Sequence, residues 1–282
     1  MSTIEYSLFR VKMIRPHQLS FLHEDLTPRE AFLKAIKQKP SEELRKGYIW
    51  HIGNLSLINP SAGYFALGRT TTSTVEKYDI ESSNFIEDEQ EFSPYTHCVF
   101  DAKIGFIGIS KKPNLCPTTT GIAERLEELL ALTEVVVENA IKVEIKPIPN
   151  PDGFLKSINS ARRIYTFSAT FGGPNPFDAD RFFQKPLSVY LSAANGEYGR
   201  TTIRGEDLDK ETLTEVTRST AATGNEASAR IQRNRGEKAI TIHLTGDPIK
   251  IKYDSDEHDP ERVLIDLNNI YEGIRHDENS RD

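Results

Sequence analysis

Cysteine, methionine and tryptophan are scarce in this chain of 282 residues, numbering two, two and one. Cys98 and Cys116 sit in no metal-ligand spacing and are too few for a disulfide framework, which points to a reducing cytosol rather than a secreted setting. Long apolar runs are missing as well. The longest fall far short of the ~18 residues that a membrane span needs, so no transmembrane helix is expected. The start, Met1-Ser2-Thr3-Ile4-Glu5, has no basic region followed by an apolar stretch, so no secretory signal is expected. There is no Gly-x-Ser-x-Gly elbow, no phosphate-binding glycine loop and no dinucleotide fingerprint. Gly172-Gly173 lacks the strand–turn–helix spacing that such loops require. The histidines, His17, His23, His51, His97, His243, His258 and His276, form no helical i, i+4 ligand pair. No signature of a hydrolase, nucleotide-binding enzyme or zinc site is left standing, and no cofactor or metal is expected.

What is present is the make-up of an ordinary soluble protein, with 37% hydrophobic and 27% charged residues. The length suits two domains, each able to bury its own core. The net charge of −7 is unevenly spread. Residues 1–139 carry 15 basic and 19 acidic side chains, residues 140–252 carry 17 and 13, and residues 253–282 carry 3 and 10. The middle section is the basic one, and partner binding follows local field rather than the total.

The stretch 95–148 sets the plan. Thr96 to Phe100 and Ile104 to Ile109 read as a hairpin around Asp101-Ala102-Lys103. Threonines 118–120 then precede Ile122, Leu126, Leu129 and Leu130 at helical spacing, and Ile141 to Lys146 alternates as a half-buried strand. Before this unit, Ile4 to Met13 alternates as a strand, and Thr27-Pro28-Arg29-Glu30 opens a helix that Pro40 ends. Gly47 to Ile58 and Tyr64 to Arg69 read as strands, with further strand character over 70–79 and 84–91. Cys98 and Trp50 read as core residues.

Pro149-Asn150-Pro151-Asp152-Gly153 is the best internal breakpoint, dividing a sheet-rich domain (1–149) from a basic α+β domain (150–282). In the second part a short helix leads to a strand on which Tyr165, Phe167, Ala169 and Phe171 share one face. A helix over 178–194 should be kinked or split in two by Pro186, and a helix over 209–221 follows. Residues 228–234, 239–245 and 249–253 read as a meander. Asp259-Pro260 then starts a last helix whose stripe is Val263, Leu264, Leu267, Ile270, Tyr271 and Ile274.

Three constellations bear on function. Arg230, Arg233, Arg235 and Lys238 gather at one predicted turn after a small, polar, loop-like stretch (220–228), and Lys156, Arg162 and Arg163 would add to the same field. Such a patch grips phosphates through point charges and guanidinium forks, and it reads backbone rather than bases. The competing reading is a solvated hairpin of ordinary surface charge. Second, Asp101 upstream of Glu144-Ile145-Lys146 matches the pattern of an Mg²⁺-dependent nuclease, although Lys142, Glu144 and Lys146 are also the plain polar face of an exposed strand. Third, the acidic C-terminal section could recognise a protein partner.

The order of features from residue 95 to 171 resembles the RexA-like phage-exclusion proteins of lambdoid prophages. The hairpin ending Ile104-Gly105-Phe106-Ile107-Gly108, the Pro117-Thr118-Thr119 loop, Leu129-Leu130 and Val143-Glu144-Ile145-Lys146-Pro147 carry that likeness. The fold is also reminiscent of the DNA-binding recombination protein RdgC. The resemblance implies a cytoplasmic homodimer that binds double-stranded DNA with little sequence preference. It also implies a non-enzymatic role in abortive anti-phage defence, exerted through a separate membrane effector. The family supplies no tight motif to transfer, so the seven basic residues stand on charge alone.

Overall fold

The computed structural model describes residues 3–15, 26–172, 183–244, 248–255 and 258–275. The fold is mixed α+β. The first part runs β1 (Thr3–Ile14), α1 (Pro28–Lys37), β2 (Ser41–Arg45), β3 (Tyr48–Leu57), β4 (Ala62–Asp79), β5 (Asn84–Phe92), β6 (Tyr95–Asp101), β7 (Phe106–Ser110), α2 (Thr119–Ala131), α3 (Glu134–Glu138) and β8 (Lys142–Pro147). The second runs α4 (Asp152–Ser160), β9 (Arg163–Phe171), α5 (Gln184–Ala193), β10 (Gly199–Arg204), α6 (Lys210–Ala222), β11 (Ala227–Gln232), β12 (Ile240–Leu244), β13 (Lys250–Asp254) and α7 (Pro260–Arg275).

Strand β1 is the pivot. Along one edge it pairs antiparallel with β7, from Tyr6↔Ser110 to Arg10↔Phe106. Its other edge carries two strands end to end, β13 opposite Thr3–Ser7 and β8 opposite Phe9–Ile14. Leu8 sits at the junction, where its N–H donates to the Ile249 carbonyl and its own carbonyl accepts from the Ile148 N–H. The last strand of the expected meander therefore leaves β11 and β12 and returns to the first sheet. That sheet has nine strands in the order β13-β1-β7-β6-β4-β3-β2, with β5 extending β4 and β8 beside β1. The second sheet has four, in the order β10-β9-β11-β12.

Alternation along β1 feeds two cores. Phe9, Val11 and Met13 pack with α1, α2 and α3 on one face, whereas Tyr6 and Leu8 face the other, with α7, α6 and α4. Helix α7 lies on β4 and β6, α6 lies on α7, and α6 and α4 carry the second sheet through β9 and β12. The result is four layers: helices, large sheet, helices, small sheet.

Local chemistry sets the helix starts. Thr27 and Glu30 form a reciprocal capping box with Pro28 at the first helical position. The Thr118 hydroxyl accepts from the Gly121 N–H at 3.0 Å to begin α2. Asp259 receives the Glu261 N–H at 3.1 Å ahead of α7, whose Val263, Leu264, Leu267, Tyr271 and Ile274 are buried. Each such apolar side chain contributes about 1.5–3 kcal/mol on burial. Cys98 and Trp50 are core residues.

Two local expectations need correction. A register shift opposite Arg230 makes Tyr165 the extra residue of a bulge, so Ile164, not Tyr165, joins Phe167, Ala169 and Phe171 on the buried face. Among the described residues Pro186 interrupts no helix, because α5 starts at Gln184 and holds the proline in its first turn, where no donor is needed. The expected helical residues 178–182 lie outside the described residues. No helix among those described is long and apolar enough to cross a membrane.

Candidate nucleic-acid interface

Among the described residues the second sheet is covered on one face only. Ile164, Phe167, Ala169, Ala227, Ala229 and Ile231 point into the core, so their neighbours along β9 and β11 point outward. Strand register turns these outward residues into rows. Arg204, Thr166, Arg230 and Thr241 stand opposite one another across all four strands. Thr202, Ser168, Ser228 and His243 form the next row, and Arg200 and Thr170 a third. Within a row, neighbours are about 4.8 Å apart. The Thr202 hydroxyl donates to Ser168 Oγ at 3.0 Å, and the Tyr165 hydroxyl donates to Gln232 Oε1 at 3.2 Å. This uncovered face is thus an array of hydroxyls studded with arginines.

Of the seven basic residues singled out from sequence, Arg230 stands in the first row, and Arg163 lies opposite Gln232 one step beyond it. Arg162 adjoins them, since its N–H donates to the Gln232 carbonyl at 2.8 Å. Arg233, Arg235 and Lys238 lie exposed in the turn from β11 to β12, at the same end of the sheet. There Asn234 Nδ2 donates to Glu237 Oε1 at 2.8 Å, and Gly236 takes a φ of +85°. Among the described residues none of these six forms an ion pair with a carboxylate. Lys156 stands apart, because α4 packs beneath the covered side of the sheet.

The expected loop at 220–228 is confined to the turn 223–226 between α6 and β11. Thr220, Ala221 and Ala222 close α6, and the buried Thr220 and Thr223 hydroxyls donate back to the Val216 and Ser219 carbonyls at 2.7 and 3.0 Å. Arg200 and Arg204 escaped the sequence reading. Their only signal was the alternation of β10, and their place beside Arg230 depends on a register that spans distant segments. Arg200 also pairs with Glu226 at 3.3 Å.

The residues of the nuclease pattern are not brought together. Asp101 lies opposite Phe106, Phe106 opposite Arg10, and Arg10 opposite Lys146. Asp101 is therefore three strand spacings from β8, about 14 Å. Its Oδ1 accepts from the N–H groups of Lys103 and Ile104 at 2.8 and 3.3 Å, a turn-capping role. Among the described residues no group of three or more His, Cys, Asp or Glu side chains is placed to hold a metal. Of the acidic C-terminal section, Asp266 receives the Tyr253 hydroxyl at 3.1 Å, and residues 276–282 lie outside the described residues.

Glu144 and Lys146 instead line a cleft between the two sheets, together with Lys12, Glu197, Arg200 and Asn225. Lys12 is buried there and donates to Asn225 Oδ1 at 3.0 Å. Burial, reinforced by the Arg10 guanidinium and opposed by Glu144, brings its ammonium down to about 8. No protein-family model matches this chain, and no curated protein matches it at a significant level.

Proposed function

We propose that this protein is a non-catalytic binder of double-stranded DNA that grips the sugar–phosphate backbone with little regard to sequence. The observation that carries the reading is the uncovered face of the small sheet. Arg204, Thr166, Arg230 and Thr241 span it in one row, and Arg162, Arg163, Arg233, Arg235 and Lys238 crowd one end. Guanidinium groups and hydroxyls at fixed spacing donate to phosphate oxygens. Nothing on the face enters a groove as a recognition helix does, and Tyr165, the aromatic residue in its rows, is tied to Gln232 rather than offered for base stacking. Two copies of such a face would clamp a duplex from both sides, so the binding unit is a homodimer.

In keeping with the likeness to RexA-like proteins, the setting is anti-phage defence in the cytoplasm, with a separate effector carrying out the lethal step. Fluorescence anisotropy with two unrelated labelled duplexes tests the binding. Near-equal affinities that weaken steeply with added salt are expected. Failure to bind either duplex at low salt, or affinity indifferent to salt, would refute it.

A further inference from the structure

The cleft between the sheets has a volume of about 690 Å³ and a charged lining. On its floor the inward positions of β1 change from apolar Tyr6 and Leu8 to Arg10 and Lys12, flanked by Glu144 and Lys146 on β8. Over them lies the turn from α6 to β11. Gly224 there has a φ of +64°, and a Cβ on it would come 3.1 Å from Arg10 Cβ and 3.4 Å from Lys146 Cβ. Only a glycine lets the turn press this close, and the closeness sets Asn225 on Lys12.

Among the described residues the cleft's cations outnumber its carboxylates once Lys142 is counted with the lining. Lys142 engages both Glu144 at 3.1 Å and Glu197 at 2.8 Å, while Arg200 engages Glu226. Each carboxylate among the described lining residues thus has a cation at or near the mouth. Among the described residues Lys12 and Lys146 have no ion pair, and Lys12 is only 4% exposed. An ammonium held this deep, with Glu144 opposite it but not in ion-pair contact, is costly, and an apolar side chain would close the same space at no electrostatic cost. A cleft that keeps such a group is built for an anion.

We propose that the cleft binds a small phosphate monoester, with its phosphate between the ammonium groups of Lys12 and Lys146. Asn225 holds the Lys12 ammonium in place, and the exposed ring of Tyr198 at the mouth offers a surface for the rest of the molecule. The size suits a mononucleotide, since sites for small ligands run to roughly 300–1,000 Å³. This site adjoins the DNA-binding face at Arg200 and Thr170, but it takes its anion on Lys12 and Lys146 and does not rest on that face.

Binding depends on Lys12 carrying its proton. The charged groups facing it are Arg10 on its own strand, Glu144 and Lys146 on β8, Glu197 and Arg200 beside β10, and Glu226 in the α6–β11 turn. Affinity therefore falls as pH rises through about 8.

Isothermal titration of the full chain with AMP and with inorganic phosphate tests the proposal, at about pH 7 and about two units higher. The expected result is binding of AMP at the lower pH, loss at the higher, and weakening by about tenfold in Lys146→Gln. Lys146 is exposed, so that variant keeps the fold and isolates the loss of the charge. Inorganic phosphate binding as tightly as AMP would also support the site and would leave Tyr198 without a part in it. No binding of either probe up to ~10 mM, or unchanged affinity in Lys146→Gln, would overturn it. Duplex binding is read separately in the same variant and is expected to be unchanged.

Discussion

Replacing Lys12 by methionine should make the unliganded protein more stable. Burial chiefly, with help from Arg10, lowers this ammonium from 10.5 to about 8. At ~1.4 kcal/mol for each pH unit separating the folded and unfolded values, keeping the proton in the fold at neutral pH costs on the order of 3 kcal/mol. Lys12 is almost wholly buried, so solvent screening removes little of this. Against it stands the hydrogen bond to Asn225, worth about 1 kcal/mol. Asn225 keeps its donors in use, to Gln184 Oε1 at 3.3 Å and Thr223 Oγ1 at 2.9 Å. Methionine fills nearly the same volume, so the expected net gain is about 1–2 kcal/mol.

The pH dependence sharpens the test. Between about 8 and 10.5 the unfolded chain binds more protons at this residue than the folded one does. The wild type therefore gains stability as pH rises through that window, and Lys12→Met does not. Urea denaturation at several pH values reads both effects. If the variant is less stable by more than ~1 kcal/mol, or if the two pH slopes coincide, the burial argument is refuted.

The acid side has its own signature. The His97 and His258 rings lie tilted against each other, 5.1 Å between centroids, and His258 Nε2 meets the Tyr6 hydroxyl at 2.7 Å. Burial chiefly lowers both, with His258 and Lys112 adding to the effect at His97 and Asp259 opposing it at His258. Stability is complete above the ordinary value of 6.5 and is lost as pH falls below it. Thermal melts of His258→Gln, which keeps a partner for Tyr6, should show a shallower acid decline than wild type. At Gly108 an added Cβ would lie 2.3 Å from Leu267 Cδ1 on α7. Gly108→Ala should cost about 1–3 kcal/mol, and combining it with Leu267→Ala should cost less than the sum in chemical denaturation.

Much of the fold was legible because its signals are local. Thr27-Pro28-Glu30 and Asp259-Pro260 announce helices within four residues, and the polar break at 101–103 announces a hairpin. What stayed hidden depends on distant segments. Alternation shows that Arg10 and Lys12 share a face, but their burial comes from a turn more than 200 residues later. Strand character at 250–254 does not reveal that its partner is β1 rather than β12. The arginine row followed the same rule. Arg230 drew notice as part of a charge cluster, whereas Arg204 became its neighbour only through the registers of β10 with β9 and of β9 with β11.

The most direct test of DNA binding is the salt dependence of duplex affinity for the wild type and for a variant carrying both Arg204→Gln and Arg230→Gln. Each lost phosphate contact removes about 0.9 from the slope of log affinity against log salt, so a slope shallower by about 1.8 is expected. Discrimination between unrelated duplexes should stay absent in both proteins. An identical slope in the two would place the DNA elsewhere on the molecule and contradict the role assigned to this face.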